Sequence, residues 1–330
     1  IKFFARDGRK LADSVEAQIE AQLKVEWSPK VAPGKVIKDD GAAERYLQHL
    51  LSTIEGDFSG LKIVVDCANG AASKVAPEAL RRAGAQVVAI NNQPNGTNIN
   101  LNCGSTHLDG LIAKVKSEQA DLGIAHDGDA DRVLAIDHLG NIIDGDYILG
   151  ILAQHTELPT KSIVGTVMTN LGLIRALAEL KIGFIATPVG DRYVLEEMLK
   201  SGHTLGGEQS GHVIMRKFAT TGDGILTALH LISEIKRSKK SLKELAGFMV
   251  RYPQVLINVK GVAKDKLSGN TSIKNRIEEI ENELGNSGRV LLRASGTEPV
   301  IRVMIEASDE NKANEFAQAL AQLVKSELTL

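Results

Sequence analysis

The segment Ile124-Ala-His-Asp-Gly-Asp-Ala-Asp-Arg-Val133 sets three carboxylates, Asp127, Asp129 and Asp131, on alternate residues between two apolar runs. In extended backbone, side chains at i, i+2 and i+4 point the same way, so three anionic oxygens can converge on one small hard cation, with Mg²⁺ the natural guest. Arg132 adds a fixed positive charge, and a cation plus a guanidinium is equipment for holding phosphate. A calcium EF-hand loop also opens D-x-D-x-D, but it needs Gly at its sixth position and Glu at its twelfth, and here these are Arg132 and His138. A solvated acidic turn is the bland alternative; against it, three clustered carboxylates repel one another unless a cation neutralises them.

Three further loops combine glycine with polar side chains. Thr187-Pro-Val-Gly-Asp-Arg-Tyr193 leads into a helix, so its amides, with Gly190 and Asp191 and the charge of Arg192, can face an anion or hydroxyl; an ordinary turn and cap is the alternative. Leu205-Gly-Gly-Glu-Gln-Ser-Gly-His212 offers Glu208, Ser210 and His212 among three glycines, which suits a reader of sugar hydroxyls; a Gly-rich hairpin with a structural histidine is the alternative. Arg293-Ala-Ser-Gly-Thr-Glu-Pro299, with Arg302 beyond, supplies two guanidiniums, two hydroxyls (Ser295, Thr297) and the Gly296 amide, a set that fits a phosphate dianion better than a plain strand connection. A ligand with a phosphate at each end and hydroxyls between would use all four loops.

The elements that must position these loops follow from periodicity. Asp121–Ala125 and Val133–Ile136 read as buried strands that flank the aspartates. Leu61–Val65, a helix over Ser73–Ala83, and Gln86–Ile90 make a β-α-β unit, preceded by an amphipathic helix over Gly41–Ile54. The pattern recurs as Ser162–Val167, a helix over Leu173–Leu180, and Ile182–Ala186. The predicted fold is therefore two tandem α/β domains with mixed, largely parallel sheets, covering residues 41–146 and 147–250, with a helix at Tyr147–Gln154 near their boundary. After them comes a C-terminal α+β domain, residues 251–330: strands Val255–Val259, Val290–Arg293 and Val300–Ile305, and helices Ile273–Leu284 and Glu310–Lys325. Residues 1–40 carry a strand-like start, a helix near Leu11–Ile19 and a Pro/Gly linker through Trp27-Ser-Pro29 and Pro33-Gly34, and are expected to be the remnant of a further α/β domain.

The 330 residues allow several domains, and 43% hydrophobic with 24% charged is ordinary for a globular chain. A net charge of -2 and the expected lack of a dense basic run argue against nucleic acid or an anionic membrane as main partner. Two cysteines, Cys67 and Cys103, without metal-type spacing, suggest a reducing compartment, and a cytoplasmic location is expected. No uncharged apolar run reaches the ~20 residues that span a bilayer.

D-G-D-A-D-R at 127–132, G-E-Q-S-G-H at 207–212 and R-A-S-G-T-E-P at 293–299, in this order, resemble the α-D-phosphohexomutases. The resemblance covers essentially the whole chain, and Asn102-Cys-Gly-Ser-Thr-His107 with Gly206–His212 is similar to the bacterial branch acting on glucosamine phosphates. It implies interconversion of glucosamine 6-phosphate and glucosamine 1-phosphate, through a phosphoserine enzyme and a sugar bisphosphate intermediate, toward UDP-N-acetylglucosamine and cell-wall precursors. It further implies Mg²⁺ on Asp127, Asp129 and Asp131, with Arg132 steadying the reacting phosphate. Glu208 and Ser210 would read the sugar, with Gly190, Asp191 and His212 as additional contacts, and Arg293, Ser295, Gly296, Thr297 and Arg302 would hold the other phosphate. Mannose or glucose phosphates are the sister substrates, and a homodimer stays open. The family's T-A-S-H-N-P nucleophile loop does not occur in these residues, and Ile1-Lys-Phe-Phe4 with Asp7-Gly-Arg-Lys10 resembles the stretch just downstream of it. The polypeptide is therefore expected to bind without turning over, as a non-catalytic sugar-phosphate-binding fragment would.

Overall fold

A computed structural model describes residues 3–8, 11–26, 34–295 and 298–329. Ile1, Lys2, the Trp27–Pro33 stretch, Gly296 and Thr297 lie outside them, so most of the expected linker and two of the expected phosphate contacts are not described. The chain divides into two compact units, Ile1–Thr166 with Ile182–Gly247, and Val167–Lys181 with Phe248–Leu330.

The first unit begins with helices α1 (Asp13–Leu23) and α2 (Ala42–Ser52). It continues through β1 (Lys62–Asp66), α3 (Ala72–Arg82), β2 (Gln86–Ile90), α4 (Asp109–Glu118), β3 (Leu122–His126), β4 (Val133–Asp137) and β5 (Ile142–Ile143). These strands lie in the order β2-β1-β3-β4-β5; β2, β1 and β3 are parallel, and β4 and β5 are antiparallel to their neighbours. Ile63, Val64 and Val65 of β1 are fully buried, as expected of a β-branched run covered on both faces. Then follow α5 (Gly145–His155) and β6 (Ser162–Thr166) and, after α6 (Leu171–Glu179) of the second unit, β7 (Gly183–Thr187), α7 (Asp191–Ser201), β8 (Leu205–Gly207) and β9 (Val213–Met215). The order β7-β6-β8-β9 is parallel except for its last pair. The two sheets thus share one topology, and the aspartate loop between β3 and β4 corresponds to the glycine-rich loop between β8 and β9.

Helices α8 (Gly224–Ser238) and α9 (Leu242–Ala246) complete this unit. α8 packs on β3, β4 and β9, while α5 packs on β4, β5 and β8, so both helices touch both sheets. Their residues are accordingly buried nearly all round: Ile225, Leu226, Leu229, Leu231 and Ile232 on one helix, Ile148, Leu149, Ile151 and Leu152 on the other. The periodicity does not predict helices α4 and α8; residues 224–229 of α8 are all buried, and its charges, Glu234, Lys236 and Arg237, are gathered toward its C-terminal end. The C-terminal end of α8 also corrects the expected lack of a basic run: Lys236, Arg237, Lys239, Lys240 and Lys243 fall within Lys236–Lys243. The net charge hid this cluster because the balancing acids lie elsewhere.

The second unit joins α6 to β10 (Gln254–Lys260), α10 (Thr271–Leu284), β11 (Gly288–Ala294), β12 (Val300–Ala307) and α11 (Glu310–Leu328). The antiparallel sheet runs β10-β12-β11. Ile301, Val303 and Ile305 of β12 share a core with Ile280 of α10 and Phe316, Leu320 and Val324 of α11. Glu306 is fully buried, ion-paired with Arg289, and accepts hydrogen bonds from Leu171 N–H (3.3 Å) and Gln254 Nε2 (3.2 Å). Arg289 also donates to Thr169 O, and Asn170 exchanges two bonds with Tyr252 (2.9 and 3.0 Å). The Val167–Lys181 segment is thereby fastened to the sheet. Among the described residues no helix is long and apolar enough to cross a membrane.

Candidate functional site

Asp127, Asp129 and Asp131 each offer a carboxylate oxygen, and these atoms lie within 4.8 Å of one another. They converge by a different route from the extended one expected. Ala130 N–H donates to Asp127 O (3.2 Å) and Ala130 is left-handed (φ 61°), so residues 127–130 form a turn that folds the carboxylates inward. The loop is held from several sides. Ala71 N–H, just before α3, donates to Gly128 O (2.9 Å), and Gly224 N–H, at the start of α8, donates to Ala130 O (2.9 Å). Two helix N-termini, each the positive end of a peptide dipole, therefore adjoin the acidic turn. Beneath it, His126 is buried, its Nδ1 3.2 Å from Arg132 O; burial pushes its pKa down to about 4, so the ring is neutral at pH 7 and Nδ1–H can donate.

Burial, then the charges of Asp131 and Asp129, push Asp127 up to about 6. An all-oxygen cluster whose ionisation is disfavoured for want of positive charge fits a hard divalent ion. Arg132 is half-exposed, its Nε 4.0 Å from Asp127 and 3.9 Å from Asp131, so its guanidinium stands at the rim as expected. A cavity of about 360 Å³ beside the turn is lined by Asp129, Asp131, Tyr46 and Asp223.

The β8–β9 hairpin lies against this turn. Val133 N–H donates to Gly211 O (3.1 Å), and a Cβ on Gly211 (φ +91°) would sit 2.2 Å from Val133 O, which explains the glycine. His212 is buried, with Nδ1 3.5 Å from Asp131 and Nε2 3.9 Å from Asp191, so it bridges the aspartate turn and the start of α7. Glu208 Oε1 accepts from Gly190 N–H (3.0 Å), joining the hairpin to the Gly190-Asp191 cap, and Ser210 is exposed. The expected residues of the first three loops, Arg132, Gly190, Asp191, Glu208, Ser210 and His212 among them, are thus assembled together. Arg192 Nε donates to Glu196 (2.7 Å), one helical turn on.

In the second unit, Arg293 and Arg302 are directly opposed in the β11–β12 register. Like charges facing across strands are unfavourable without an anion, and burial with the Arg302 charge lowers the Arg293 pKa. Arg302 pairs with Glu298. Ser295 is buried, and its hydroxyl oxygen accepts from Glu298 N–H (3.2 Å). Lys264, unforeseen, donates to Ser295 O (2.7 Å) and Glu298 O (2.9 Å) and pins the loop.

Sequence reasoning also missed the residues that hold the aspartate turn from behind. Asp66, buried, accepts from Ala68 N–H (2.9 Å), Gly104 N–H (3.0 Å) and Asn91 Nδ2 (3.0 Å), and so ties three loops together. Asp223 caps α8 through Ile225 N–H (3.0 Å) and Leu226 N–H (2.9 Å), and accepts from Tyr46 O–H (2.7 Å). The N-cap signal of Thr221-Gly-Asp-Gly224 was legible; the distant tyrosine was not.

Two sheets of one topology, whose polar hairpins meet around a carboxylate cluster, define a duplicated α/β protein. Family models agree along the chain: phosphoglucomutase/phosphomannomutase α/β/α domain II matches residues 44–140, α/β/α domain III residues 144–252, and the C-terminal domain residues 256–323. The chain belongs to this family, the α-D-phosphohexomutases. It is similar to phosphoglucosamine mutase of Thermobifida fusca, 50% identical over 336 residues, covering 100% of this chain and 75% of that protein. Among solved structures it is similar to an N-acetylglucosamine-phosphate mutase in a product complex (22% identity, TM-score 0.67), covering 85% of this chain and 64% of that one. It is also similar to Aspergillus fumigatus N-acetylphosphoglucosamine mutase in complex with GlcNAc-6P and magnesium (20% identity, TM-score 0.65), covering 85% and 68%. The chain therefore spans three quarters of the curated relative and less than two thirds of the first of these structures.

Proposed function

We propose that this chain carries the metal, sugar-recognition and phosphate-anchoring parts of a phosphoglucosamine mutase, which interconverts glucosamine 6-phosphate and glucosamine 1-phosphate through a phosphoserine and a bisphosphorylated sugar. The observation that carries the reading is the union of the aspartate turn with the sugar hairpin through Val133 N–H to Gly211 O (3.1 Å) and His212 to Asp131 (3.5 Å). The name of the 50% identical relative supports the glucosamine specificity, and the magnesium complex of the Aspergillus protein supports the ion.

Asp127, Asp129 and Asp131 would hold Mg²⁺, which when bound supplies charge neutralisation at the transferring phosphoryl group. Arg132, at the rim, steadies that group's oxygens. Glu208 keeps one carboxylate oxygen on Gly190 N–H and has the other for a sugar hydroxyl, with exposed Ser210 beside it. His212 lies buried between Asp131 (3.5 Å) and Asp191 (3.9 Å). In the C-terminal sheet, Arg293 with Ser295 takes the non-reacting phosphate, and Arg302 joins by exchanging Glu298 for it; Gly296 and Thr297 belong to the same loop. The two cysteines are free and buried, which suits a reducing cytoplasmic setting.

No T-A-S-H-N-P sequence occurs among the 330 residues, so this polypeptide binds and does not turn over, while a protein that also contains the phosphoserine does both. The test has two arms. Titration calorimetry of this chain with glucosamine 6-phosphate and Mg²⁺ should show binding that Glu208→Ala weakens at least tenfold. In the phosphoserine-containing protein, kcat/KM should be higher for glucosamine 6-phosphate than for mannose 6-phosphate or glucose 6-phosphate. A preference for either of the latter assigns a sister specificity, and no binding by this chain rejects the reading.

A further inference from the structure

The segment Lys236-Arg-Ser-Lys-Lys-Ser-Leu-Lys243 contains five cations and no acid. Basic residues in the last turn of α8 suit the negative end of the helix dipole, which accounts for Lys236 and Arg237. It does not account for Lys239 and Lys240, which follow the helix. Arg237 is paired with Glu234 (2.7 Å), whereas Lys239 and Lys240 form no ion pair among the described residues. Both are exposed and, with Lys236, line a cleft of about 730 Å³. The acid that also lines it, Asp121, has one oxygen committed to Lys62 N–H (2.7 Å). Lys236 donates to Ser59 O (2.7 Å), which fixes its ammonium and leaves two donors.

The rest of the cleft is different in character. Leu61, half-buried, lines the cleft beside the buried Leu122, Ile235 and Leu242, so the cleft joins a cationic edge to an apolar side formed by Leu61 and the lysine stems. A single phosphate would use only the edge. We propose that this cleft is a second ligand site, separate from the aspartate turn and the hairpin, for a soluble small molecule that carries two or more phosphates on a flat or apolar body, such as a nucleoside diphosphate. Lysines are mobile point charges, suited to a polyphosphate that presents several oxygens without one fixed geometry. The surrounding dielectric is high, so binding rests on several charges acting together and weakens with salt.

The probes are ADP, pyrophosphate and orthophosphate, titrated in EDTA so that no cation bridges them to the aspartates. Lys239 has φ 58°, a conformation asparagine tolerates, so the test variant is Lys239→Asn with Lys240→Gln; both side chains are exposed, and neutralising them leaves the fold intact. The expected result is one ADP site per chain, with affinity in the order ADP, pyrophosphate, orthophosphate. The double variant should weaken ADP at least tenfold, and saturating glucosamine 6-phosphate should not displace it. Unchanged ADP affinity in the variant overturns the proposal, as does displacement by glucosamine 6-phosphate. Lysine-dependent capture by anionic vesicles or single-stranded DNA with no ADP binding also overturns it, by assigning the patch to a macromolecule. None of these outcomes bears on the mutase reading, which rests on other residues.

Discussion

Replacing Asp129 by Asn should have opposite effects with and without a divalent cation. The three carboxylate oxygens lie within 4.8 Å of one another, and Asp127 is pushed up to about 6 from an ordinary 3.8. That rise, about 2 pKa units, corresponds to about 3 kcal/mol of disfavoured ionisation. Because the folded-state pKa is raised, metal-free stability falls as pH climbs from about 4 through 6, and the whole penalty is present at pH 7. Burial is the first cause and Asp131 the second, so Asp129 accounts for a minor share. The variant without metal should therefore be more stable than the parent by up to about 1 kcal/mol. In Mg²⁺ the sign reverses. At an ion concentration near 100 times Kd, the parent gains about 2.7 kcal/mol, or about 4 °C in melting temperature for a chain of this size. The variant, with one charged ligand fewer, should lose most of that gain. The assay is thermal unfolding at pH 7 in EDTA and in Mg²⁺, repeated at pH 5, where Asp127 holds its proton and the parent's Mg²⁺ response should shrink. An equal Mg²⁺ shift in parent and variant, or a metal-free variant that melts below the parent, would refute the reasoning.

Gly211→Ala places a Cβ 2.2 Å from Val133 O at a backbone φ of +91°; we expect at least about 3 kcal/mol of destabilisation in urea unfolding, or separation of the two hairpins seen as lost glucosamine 6-phosphate binding, and a variant with neither defect contradicts the packing. Arg289→Met leaves the carboxylate of Glu306, fully buried, without its cation and should cost about 3–5 kcal/mol, whereas Arg289→Met with Glu306→Leu should recover much of it; equal losses in single and double variants argue against the ion pair. Burial, with Lys217 nearby, holds His230 down at about 4 against an ordinary 6.5. Its contribution is full above pH 6.5 and is lost as pH falls toward 4, by at most about 3 kcal/mol. His230→Phe, which keeps the ring beside Phe218, should reduce the loss of stability between pH 6.5 and 4, to which His126 also contributes, and an unchanged slope would exclude His230 as a source.

The sequence by itself determined which residue types stand on which loops. Asp127, Asp129 and Asp131 between two apolar runs, Glu208 to His212 among glycines, and Arg293 with Arg302 were all legible, because strands of this length are written in local apolar runs and turns in glycine and aspartate. So was the repeat, since both sheets use the same order of strand, helix and strand. Tertiary structure alone decided what those loops meet. The union of the β3–β4 turn with the β8–β9 hairpin depends on backbone bonds between residues some 80 positions apart, such as Val133 with Gly211, and no local pattern encodes a partner at that distance. The two-sheet packing of α8 was likewise a tertiary matter: residues 224–229 are all buried and the charges Glu234, Lys236 and Arg237 lie toward the C-terminal end, but which strands cover the helix is set by the fold. The anchors Asp66, Tyr46 and Asp223 are single polar residues whose significance arises only when burial leaves each of them one available partner.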